Sequence, residues 1–524
     1  MAESEEKKVV AQAEPEVEEK VMSADEVLKK YDKESDKRTM SGTWNHIINV
    51  ICIAFAIFQL YTAIFGVLDA ALQRAIHLAF GLSLIYLLYP ARTKWSRTSM
   101  HPLDLAFAIV SAACCMYIVV EYDQLVLRAG LNTDIDMYIA LVGTILVIEA
   151  ARRTVGWPMV LVALAFILYA LFGPYMPGLL AHRGVGFGEL VGHLYYTTEG
   201  IFGTPLGVSS TFIYLFILFG AYLESTGLGK FFIDLANAVA GWASGGPAKV
   251  AVLSSGLMGT VSGSSVANVV GTGSFTIPMM KKLGYRKDFA GAVEAAASTG
   301  GQLMPPVMGA AAFLMAEFIG IPYIQVVKAA VIPAILYYTG VWLGVHYEAQ
   351  KYGLKGLPRE QLPKFKALFV EKFHLAIPLI VIVYLLVTGY TPMRAALWAI
   401  FLTLVCCCLR KSTRIKPMDV VDGLINGSKG VLGVLIACAT AGIIIGVVTK
   451  TGVGLKLGTA LLDLAGGNLI FTMFFTMITS LILGMGVPTT ANYVITSTIA
   501  APALLQLQVP VLAAHMFAFY FGIV

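Results

Sequence analysis

Residues 259–268 read Gly-Thr-Val-Ser-Gly-Ser-Ser-Val-Ala-Asn, a polar stretch inside a long apolar neighbourhood. Buried hydroxyl and amide groups cost free energy unless they are hydrogen-bonded. Gly263 allows the chain to turn sharply, and the apolar runs on either side are too short for two full membrane crossings. The stretch therefore predicts a re-entrant helical hairpin with a polar tip, whose oxygen atoms suit an alkali cation.

A second unusual stretch, Ser-Thr-Gly-Gly-Gln-Leu-Met-Pro-Pro at 298–306, predicts a broken helix. Pro305 and Pro306 remove two backbone donors and clash with the preceding turn, and the two glycines before them let the chain unwind. Carbonyls freed by the break can hold a cation. We expect a helix to begin at Pro305 and to direct its positive N-terminal end at an anionic substrate group.

The chain repeats this arrangement. An offset of 225 residues places Gly259 on Gly484 and the hydroxyl pair 264–265 on 489–490, and after one deletion Asn268 falls on Asn492. Five apolar spans lie between the two units, so the second unit is expected in the opposite orientation. Inverted repeats whose interrupted segments meet near the midplane are typical of secondary transporters, whereas glycines that only tighten helix packing would not recur in this matched way.

Composition places these motifs in a membrane protein. Of 524 residues, 57% are hydrophobic and 13% are charged, against about 25% charged in soluble domains. The apolar runs are continuous, which excludes a transmembrane barrel and predicts an all-α polytopic membrane protein in a lipid bilayer. The formal net charge of +5 gives no support for nucleic-acid binding. The cysteines form no C-x-x-C pair, so neither a disulfide framework nor a transition-metal site is expected.

Three regions follow from the pattern of charge and hydropathy. Residues 1–43 have mixed charge and few aromatic residues, which predicts a disordered cytoplasmic tail. Residues 44–153 hold four apolar spans, and residues 154–524 hold the repeats. Basic loops alternate with acidic or neutral ones; the basic loop at 351–372 is expected in the cytoplasm with the N-terminus, and the acidic loop at 123–136 outside.

The three motifs SGSSVANV, STGGQLMPP and GMGVPTTAN together resemble the large permease subunit of tripartite ATP-independent periplasmic (TRAP) transporters. They are most similar to the branch with TAXI-type binding proteins, in which a four-helix small subunit is fused in front, as in residues 44–153. The resemblance covers nearly everything after residue 43. It implies a multi-pass permease in the bacterial inner membrane and an elevator-type motion. It also implies sodium ions as coupling ions, with no other cofactor, and an organic anion, such as a carboxylate, delivered by a periplasmic TAXI-type binding protein.

The resemblance also implies two ion and substrate sites. The first would combine the hairpin tip with the break, at Ser264, Ser265, Asn268, Ser298, Thr299, Gly300, Gly301 and Pro305. The second would use Thr489, Thr490 and Asn492. Glu294, four residues before Ser298, is the best intramembrane carboxylate for tuning the first site, because such groups are functional candidates by default. Glu149 is expected to pair with Arg152 and Arg153 on its own helix face.

One departure from the family pattern concerns the C-terminus. The repeat offset places the counterpart of Pro305 and Pro306 near positions 529–531, beyond Val524. The large-permease region is therefore expected to be C-terminally incomplete. Without the second break, Thr489, Thr490 and Asn492 would lack hydrogen-bond partners in a lipid setting.

Other functional classes stay open at this point. A sodium/carboxylate elevator symporter that needs no binding protein would share the same repeats, and a channel would not need discontinuous helices. An intramembrane serine protease could use Ser244, but it needs a base within hydrogen-bond reach. His346, His374 and His515 carry no recognisable motif. The identity of the substrate is not encoded in these patterns, because the binding protein does most of the selecting.

Overall fold

The computed structural model describes residues 33, 36–92, 95–128, 130–410 and 413–524. The described chain is built from α-helices with short 3-10 and π turns, and it contains no β-strand. Seven helical segments in this part are long and apolar enough to cross a membrane. These observations confirm the all-α polytopic class. Most of the predicted tail, residues 1–32 with 34 and 35, lies outside the described residues.

The N-terminal part and its connection to the repeats comprise the helices α1 Thr43–Phe65, α2 Ala70–Leu88, α3 Pro102–Val120, α4 Tyr122–Leu127, α5 Asp134–Thr154, α6 Trp157–Leu171, α7 Phe187–Tyr196 and α8 Thr204–Val208. The first repeat and the segment after it comprise α9 Tyr214–Ser225, α10 Leu228–Ala240, α11 Gly246–Ser262, α12 Ser265–Lys282, α13 Lys287–Gly300, α14 Gly309–Ile319, α15 Tyr323–Lys351, α16 Phe365–Lys372, α17 Ile377–Val387, α18 Pro392–Cys408 and α19 Pro417–Gly430. The second repeat comprises α20 Leu432–Thr451, α21 Val453–Leu464, α22 Leu469–Gly484, α23 Thr489–Ile499, α24 Ala501–Gln506 and α25 Val511–Ile523.

A buried ion network fastens one end of the N-terminal helices. The carboxylate of Asp104 on α3 accepts from Arg38 at 2.5 Å and from Arg153 on α5 at 2.7 Å, with all three side chains buried. Glu149 pairs with Arg152 and Arg153 at 2.8 Å each, which confirms the predicted helix-face pair. Because Arg38 packs into this network, the folded part begins before residue 44, the predicted start of the four-helix region.

A second polar network joins the N-terminal helices to the rest of the molecule. His77 on α2 is buried between Gln59 on α1, 2.6 Å from its Nδ1, and the Ser209 hydroxyl, 3.0 Å from its Nε2. Ser209 begins a π turn that ends at Ile213. Gln73 Nε2 also donates to the Ser210 carbonyl at 3.1 Å. Polar bonds of this kind replace the hydrophobic effect as a source of helix association in lipid, so α1 and α2 are tied to the π turn at Ser209–Ile213.

The outer and central helices differ in burial as a membrane setting requires. On α15 the apolar side chains of Ile332, Ile335 and Leu336 are all exposed. By contrast, α20 is buried along most of its length and packs against α2, α5, α6, α8 and α23. Large apolar side chains that face outward are expected of a surface in contact with lipid, and α20 is the central helix of the fold.

The predicted repeat is visible in the order of the helices. The segment α9–α13 corresponds to α20–α25, with α12 matched by the pair α23 and α24. Gly227 and Gly452 occupy the same place in the two units, before α10 and α21, and both adopt left-handed backbone with φ of 80° and 69°. After the one-residue deletion the offset between the repeats is 224, and this offset aligns Lys287 with Val511, the first residues of α13 and α25. The opposite orientation of the two units stays a prediction.

Candidate functional site

The first polar stretch forms a helical hairpin, as predicted. Helix α11 ends at Ser262, Gly263 turns the chain with φ of 58°, and α12 begins at Ser265. The turn rests on the main chain of another segment, because a methyl group placed on Gly263 would lie 2.3 Å from the Cα of Gly309. Glycine is required at both ends of this contact, since Gly309 also has a positive φ of 64°.

The side chains at the tip of this hairpin have different roles. Ser264 is exposed and caps α12 by accepting from the Ala267 amide at 3.3 Å. Ser265 is half-buried. Asn268 is fully buried, and its Nδ2 donates to the Ser255 carbonyl at 2.8 Å. The amide of Asn268 is therefore the best-fixed polar group at the tip.

The predicted break also forms, but the helix after it begins later than expected. Helix α13 ends at Gly300 and a 3-10 turn follows at Gly301–Leu303. Helix α14 begins only at Gly309, because Met308 adopts left-handed backbone with φ of 53°. The expectation that the helix begins at Pro305 is wrong. Pro305 and Pro306 lie in the irregular segment between the two helices, joined by a cis peptide bond.

The hairpin and the break meet through bare backbone. A methyl group on Gly259 of α11 would lie 2.3 Å from the Cα of Gly301, and one on Gly301 would lie 2.9 Å from Nδ2 of Asn268. On its other side the break packs against a side chain, because a methyl group on Gly300 would lie 2.6 Å from the ring of Tyr337 on α15. The structure therefore brings Asn268 to the break, as the sequence predicted.

Ser298 and Thr299 bond within their own helix. The Thr299 hydroxyl donates to the Ala295 carbonyl at 2.9 Å. The Ser298 hydroxyl is fully buried and donates to Oε1 of Glu294 at 3.3 Å. In this arrangement neither hydroxyl joins the tip serines in one cluster. Glu294, named from the sequence as a tuning group, instead collects hydroxyls from three helices.

The second hairpin repeats the contact. Helix α22 ends at Gly484 and α23 begins at Thr489, with a turn at Gly486 whose φ is 71°. A methyl group on Gly484 would clash with the Gly522 carbonyl of α25, and one on Gly522 would lie 2.6 Å from Oδ1 of Asn492. Asn492 therefore contacts a glycine of α25 as Asn268 contacts Gly301, although by the repeat offset Gly522 corresponds to Ser298, three residues before Gly301.

The polar groups of the second tip are satisfied only in part. Oδ1 of Asn492 is buried and has no hydrogen-bond partner in the described part of the chain. Thr490 is buried beside it. The expectation that Thr489 lacks a partner is wrong, because its hydroxyl donates to Oε1 of Gln302 at 2.9 Å.

The bond between Thr489 and Gln302 joins the second hairpin tip to the first break. Its two residues are 187 positions apart in the chain. Sequence analysis missed Gln302 as a site residue, although it stands in the middle of the quoted break at 298–306. This bond thus brings segments of both repeats together, with Asn268 beside the first break and Asn492 on the helix that Thr489 begins.

This architecture agrees with a family comparison. Residues 142–524 match the model of the DctM component of tripartite ATP-independent periplasmic transporters. The chain belongs to this TRAP permease family. The match begins inside α5, 12 residues before the predicted boundary at residue 154. The fused small subunit and the TAXI branch stay predictions.

Several TRAP permeases are similar to the chain. It is 25% identical over 296 residues to the isethionate TRAP transporter permease protein DctMQ of Oleidesulfovibrio alaskensis, covering 56% of the chain and 46% of the relative. It is 28% identical to the C4-dicarboxylate large permease DctM of Vibrio cholerae, with 39% and 46% covered. The sialic acid large permease SiaM of the same organism is 26% identical, with 48% and 55% covered. The chain thus spans about half the length of these curated relatives.

The family and the geometry together argue against a protease. The Ser244 hydroxyl donates to the Leu354 carbonyl at 3.2 Å. His346 bonds to Lys249, His374 to Thr413 and His515 to Tyr493. None of these three imidazoles is bonded to a serine among the described residues, and the TRAP relatives are transporter permeases.

Proposed function

We propose that this chain is the permease of a sodium-coupled secondary uptake system for an organic anion, a carboxylate or a sulfonate. A periplasmic TAXI-type binding protein would deliver this anion. The bond between Thr489 and Gln302 carries the proposal, because it brings the interrupted segments of both repeats to one centre. Inverted repeats with discontinuous helices that meet in this way are the usual substrate and ion sites of secondary transporters.

The chemistry of the two asparagines supports cation binding. Nδ2 of Asn268 donates to the Ser255 carbonyl, and its Oδ1 accepts from the Thr272 hydroxyl at 3.5 Å. This oxygen has a second lone pair that a cation can use. In the second repeat, Oδ1 of Asn492 is buried without a hydrogen-bond partner among the described residues. A buried amide oxygen gains most from a cation, since leaving it unpaired costs about 1–3 kcal/mol. Sodium ions at these positions would supply that partner, with Ser265 and Thr490 as neighbouring hydroxyls.

An organic anion fits the same centre. Helix α14, 11 residues long, begins close to the first tip, because Gly309 contacts Gly263. The N-terminal end of a helix carries a partial positive charge that attracts anions. The printed names of the relatives specify isethionate, C4-dicarboxylates and sialic acid, all of which are organic anions. The binding protein would choose among such cargoes.

The proposal includes a membrane orientation and a motion. The chain is a multi-pass membrane protein; we place it in the bacterial inner membrane with the N-terminus in the cytoplasm, on the basis of the basic loops. An elevator-type motion would carry the hairpins relative to the N-terminal helices. The polar network around His77 favours those helices as the fixed part, because it ties α1 and α2 to the π turn at Ser209.

Uptake into proteoliposomes is the test. The purified protein, with a TAXI-type binding protein encoded near its gene, would be offered radiolabelled succinate, isethionate or sialic acid under an inward sodium gradient. We expect accumulation only when both the gradient and the binding protein are present. Accumulation without the binding protein would favour the independent symporter, and equal uptake in potassium would refute sodium coupling.

A variant pair locates the ion site. Asn268→Ala removes the buried amide and should raise the sodium concentration that gives half-maximal uptake several-fold. Ser274→Ala is the matched control, because Ser274 lies on the same helix and is exposed. In the described part of the chain its hydroxyl donates only to the Gly271 carbonyl, at 3.4 Å. Identical sodium dependence in both variants would mean that the hairpin tip serves packing alone.

A further inference from the structure

A cavity lies where α16 meets the end of α18, away from the hairpins and the break. It has a volume of about 490 Å³ and is lined by Lys364, Lys366, Ala367, Val370, Glu371 and Arg410. The first five of these residues belong to α16 or directly precede it, and Arg410 follows α18. Nη2 of Arg410 donates to the Val370 carbonyl at 2.8 Å. This bond holds the guanidinium group against the last turn of α16, beside the cavity.

The cavity carries an excess of positive charge. Lys364, Lys366 and Arg410 are cations, and Glu371 is the one carboxylate in its lining. Among the described residues none of these four side chains forms an ion pair. A guanidinium group has five N–H donors, and its planar shape matches two oxygens of a phosphate group. The lining therefore favours an anionic ligand, and a phosphate group above all.

The exposed surface of α16 is apolar as well as basic. Phe365, Phe369 and Val370 are all exposed, and Leu368 is the one buried residue of this helix. The ring centroids of Phe365 and Phe369 lie 5.8 Å apart, and those of Phe369 and Phe373 lie 4.3 Å apart. A helix with lysines and exposed phenylalanines of this kind is typical of the boundary between lipid head groups and acyl chains. We therefore place α16 at that boundary.

Two apolar stripes continue from this end of the molecule along the outer surface. On α17, Ile380 and Tyr384 are exposed, and on α18 the exposed stripe runs through Phe401 and Val405 to Leu409. Spacings of four residues place the members of each stripe on one helix face. Helices α17 and α18 pack against each other. The stripe on α18 ends at the residue before Arg410, so an apolar surface leads directly to the basic cavity.

An anionic phospholipid matches both surfaces. A soluble anion would pair with the cations but would leave the phenyl rings of α16 in water. A lipid without net charge would cover the rings and the two stripes but would not neutralise the cavity. A phospholipid with a negative head group supplies a phosphate for the cations and acyl chains for the apolar stripes. Basic residues next to membrane helices attract such head groups in general.

We propose that the cavity between α16 and Arg410 binds the phosphate group of an anionic phospholipid, whose acyl chains lie along α17 and α18. Arg410 and Lys366 bind the phosphate oxygens, and Lys364 adds positive charge beside them. The lipid also bears on the first repeat, because Lys372 at the end of α16 pairs with Asp234 on α10 at 3.2 Å. A bound lipid thus fixes the helix on which α10 rests. The proposal does not depend on sodium-coupled uptake, and its test needs no substrate.

Native mass spectrometry of the purified protein tests the site. The protein would be stripped of lipid in detergent and mixed with phosphatidylglycerol or with phosphatidylcholine of the same acyl chains. We expect phosphatidylglycerol to bind several-fold more tightly, because the head group of phosphatidylcholine has no net charge. Arg410→Gln should weaken the binding of phosphatidylglycerol several-fold. Arg414→Gln is the matched control, because Arg414 is exposed in the same loop but does not line the cavity.

Hydrogen–deuterium exchange then locates the bound lipid. Phosphatidylglycerol should slow the exchange of main-chain amides in α16, whereas phosphatidylcholine should not. The protection should be lost in Arg410→Gln and kept in Arg414→Gln. If Arg410→Gln does not fold, Lys366→Gln serves in its place, because it removes a second cation of the same cavity.

Four results would overturn the proposal. Equal binding of the two lipids would mean that the cavity does not select a charged head group. Displacement of phosphatidylglycerol by inorganic phosphate would make the cavity a site for a soluble anion. Equal binding to the Arg410→Gln and Arg414→Gln variants would place the lipid elsewhere. Protection of α16 that accompanies formation of a dimer, with no lipid bound, would make this surface an interface between two copies of the chain.

Discussion

The contact between Gly259 and Gly301 gives a sharp test of the fold around the site. Gly259→Ala adds one methyl group, placed 2.3 Å from the Cα of Gly301 and 3.0 Å from its carbonyl oxygen. Carbon atoms prefer a separation of about 3.5–4.0 Å, so the hairpin and the break must move apart by more than about 1 Å. Both sides of the contact are main chain, and no side-chain rotamer can relieve it. Overpacking of this kind costs about 1–3 kcal/mol.

Gly271→Ala in the same hairpin is the matched control. Its methyl group would lie 3.9 Å from the Met258 side chain, an ordinary contact. The substitution should stabilise the helix by about 0.4–1 kcal/mol, because alanine restricts the unfolded chain. Thermal unfolding of the two detergent-solubilised variants should therefore differ in opposite directions from the wild type. Equal midpoints for Gly259→Ala and Gly271→Ala would refute the close backbone contact.

Three further outcomes are expected. Asp104→Asn removes the buried carboxylate charge that Arg38 and Arg153 share, while Arg153 keeps its bond to Glu149. This change should cost about 3–5 kcal/mol in thermal unfolding, whereas Asp36→Asn, in a partly exposed pair, should cost under about 1 kcal/mol. His77→Leu breaks the link to Ser209 and should lower the unfolding midpoint by the equivalent of about 1–3 kcal/mol; an unchanged midpoint would contradict the proposed joint between the two regions. Lys355 is exposed, and a cysteine can be placed there in a background from which exposed cysteine has been removed. Lys355→Cys should react with an impermeant maleimide only after the cells are permeabilised. Strong labelling of intact cells would overturn the predicted orientation.

Much of the architecture could be predicted because it depends on local chemistry. Gly263 and the flanking short apolar runs define the first turn, and the glycines before Pro305 define the break. The match of Asn268 with Asn492 follows from the repeat alone; in the structure Asn268 lies against Gly301 of the break and Asn492 against Gly522 of α25. These features require particular residue types at particular positions, which a single sequence displays.

The details that the sequence did not reveal depend on distant contacts or on unusual backbone. Nothing local indicates that Thr489 finds Gln302, since that pairing arises from packing of two repeats. Met308 adopts a conformation that glycine normally occupies, so the delayed start of α14 has no signal in residue type. Ser298 seemed a ligand of the break, yet its spacing of four from Glu294 places it on the same helix face, where the buried carboxyl attracts it.

The backbone contacts at Gly259 and Gly484 also bear on how such a protein can change. Each of these contacts is formed by main chain on both sides, so it contains no side chain that a substitution could enlarge, shorten or give a different charge. Any residue larger than glycine disturbs the contact. Ser264 at the first tip has no such restriction, since it is exposed. In laboratory evolution toward a new cargo, we expect accepted changes to collect at exposed tip positions such as Ser264, while the glycines of the backbone contacts admit almost none. The glycine contacts that hold the hairpins in place and the exposed residues at the tips can thus vary separately.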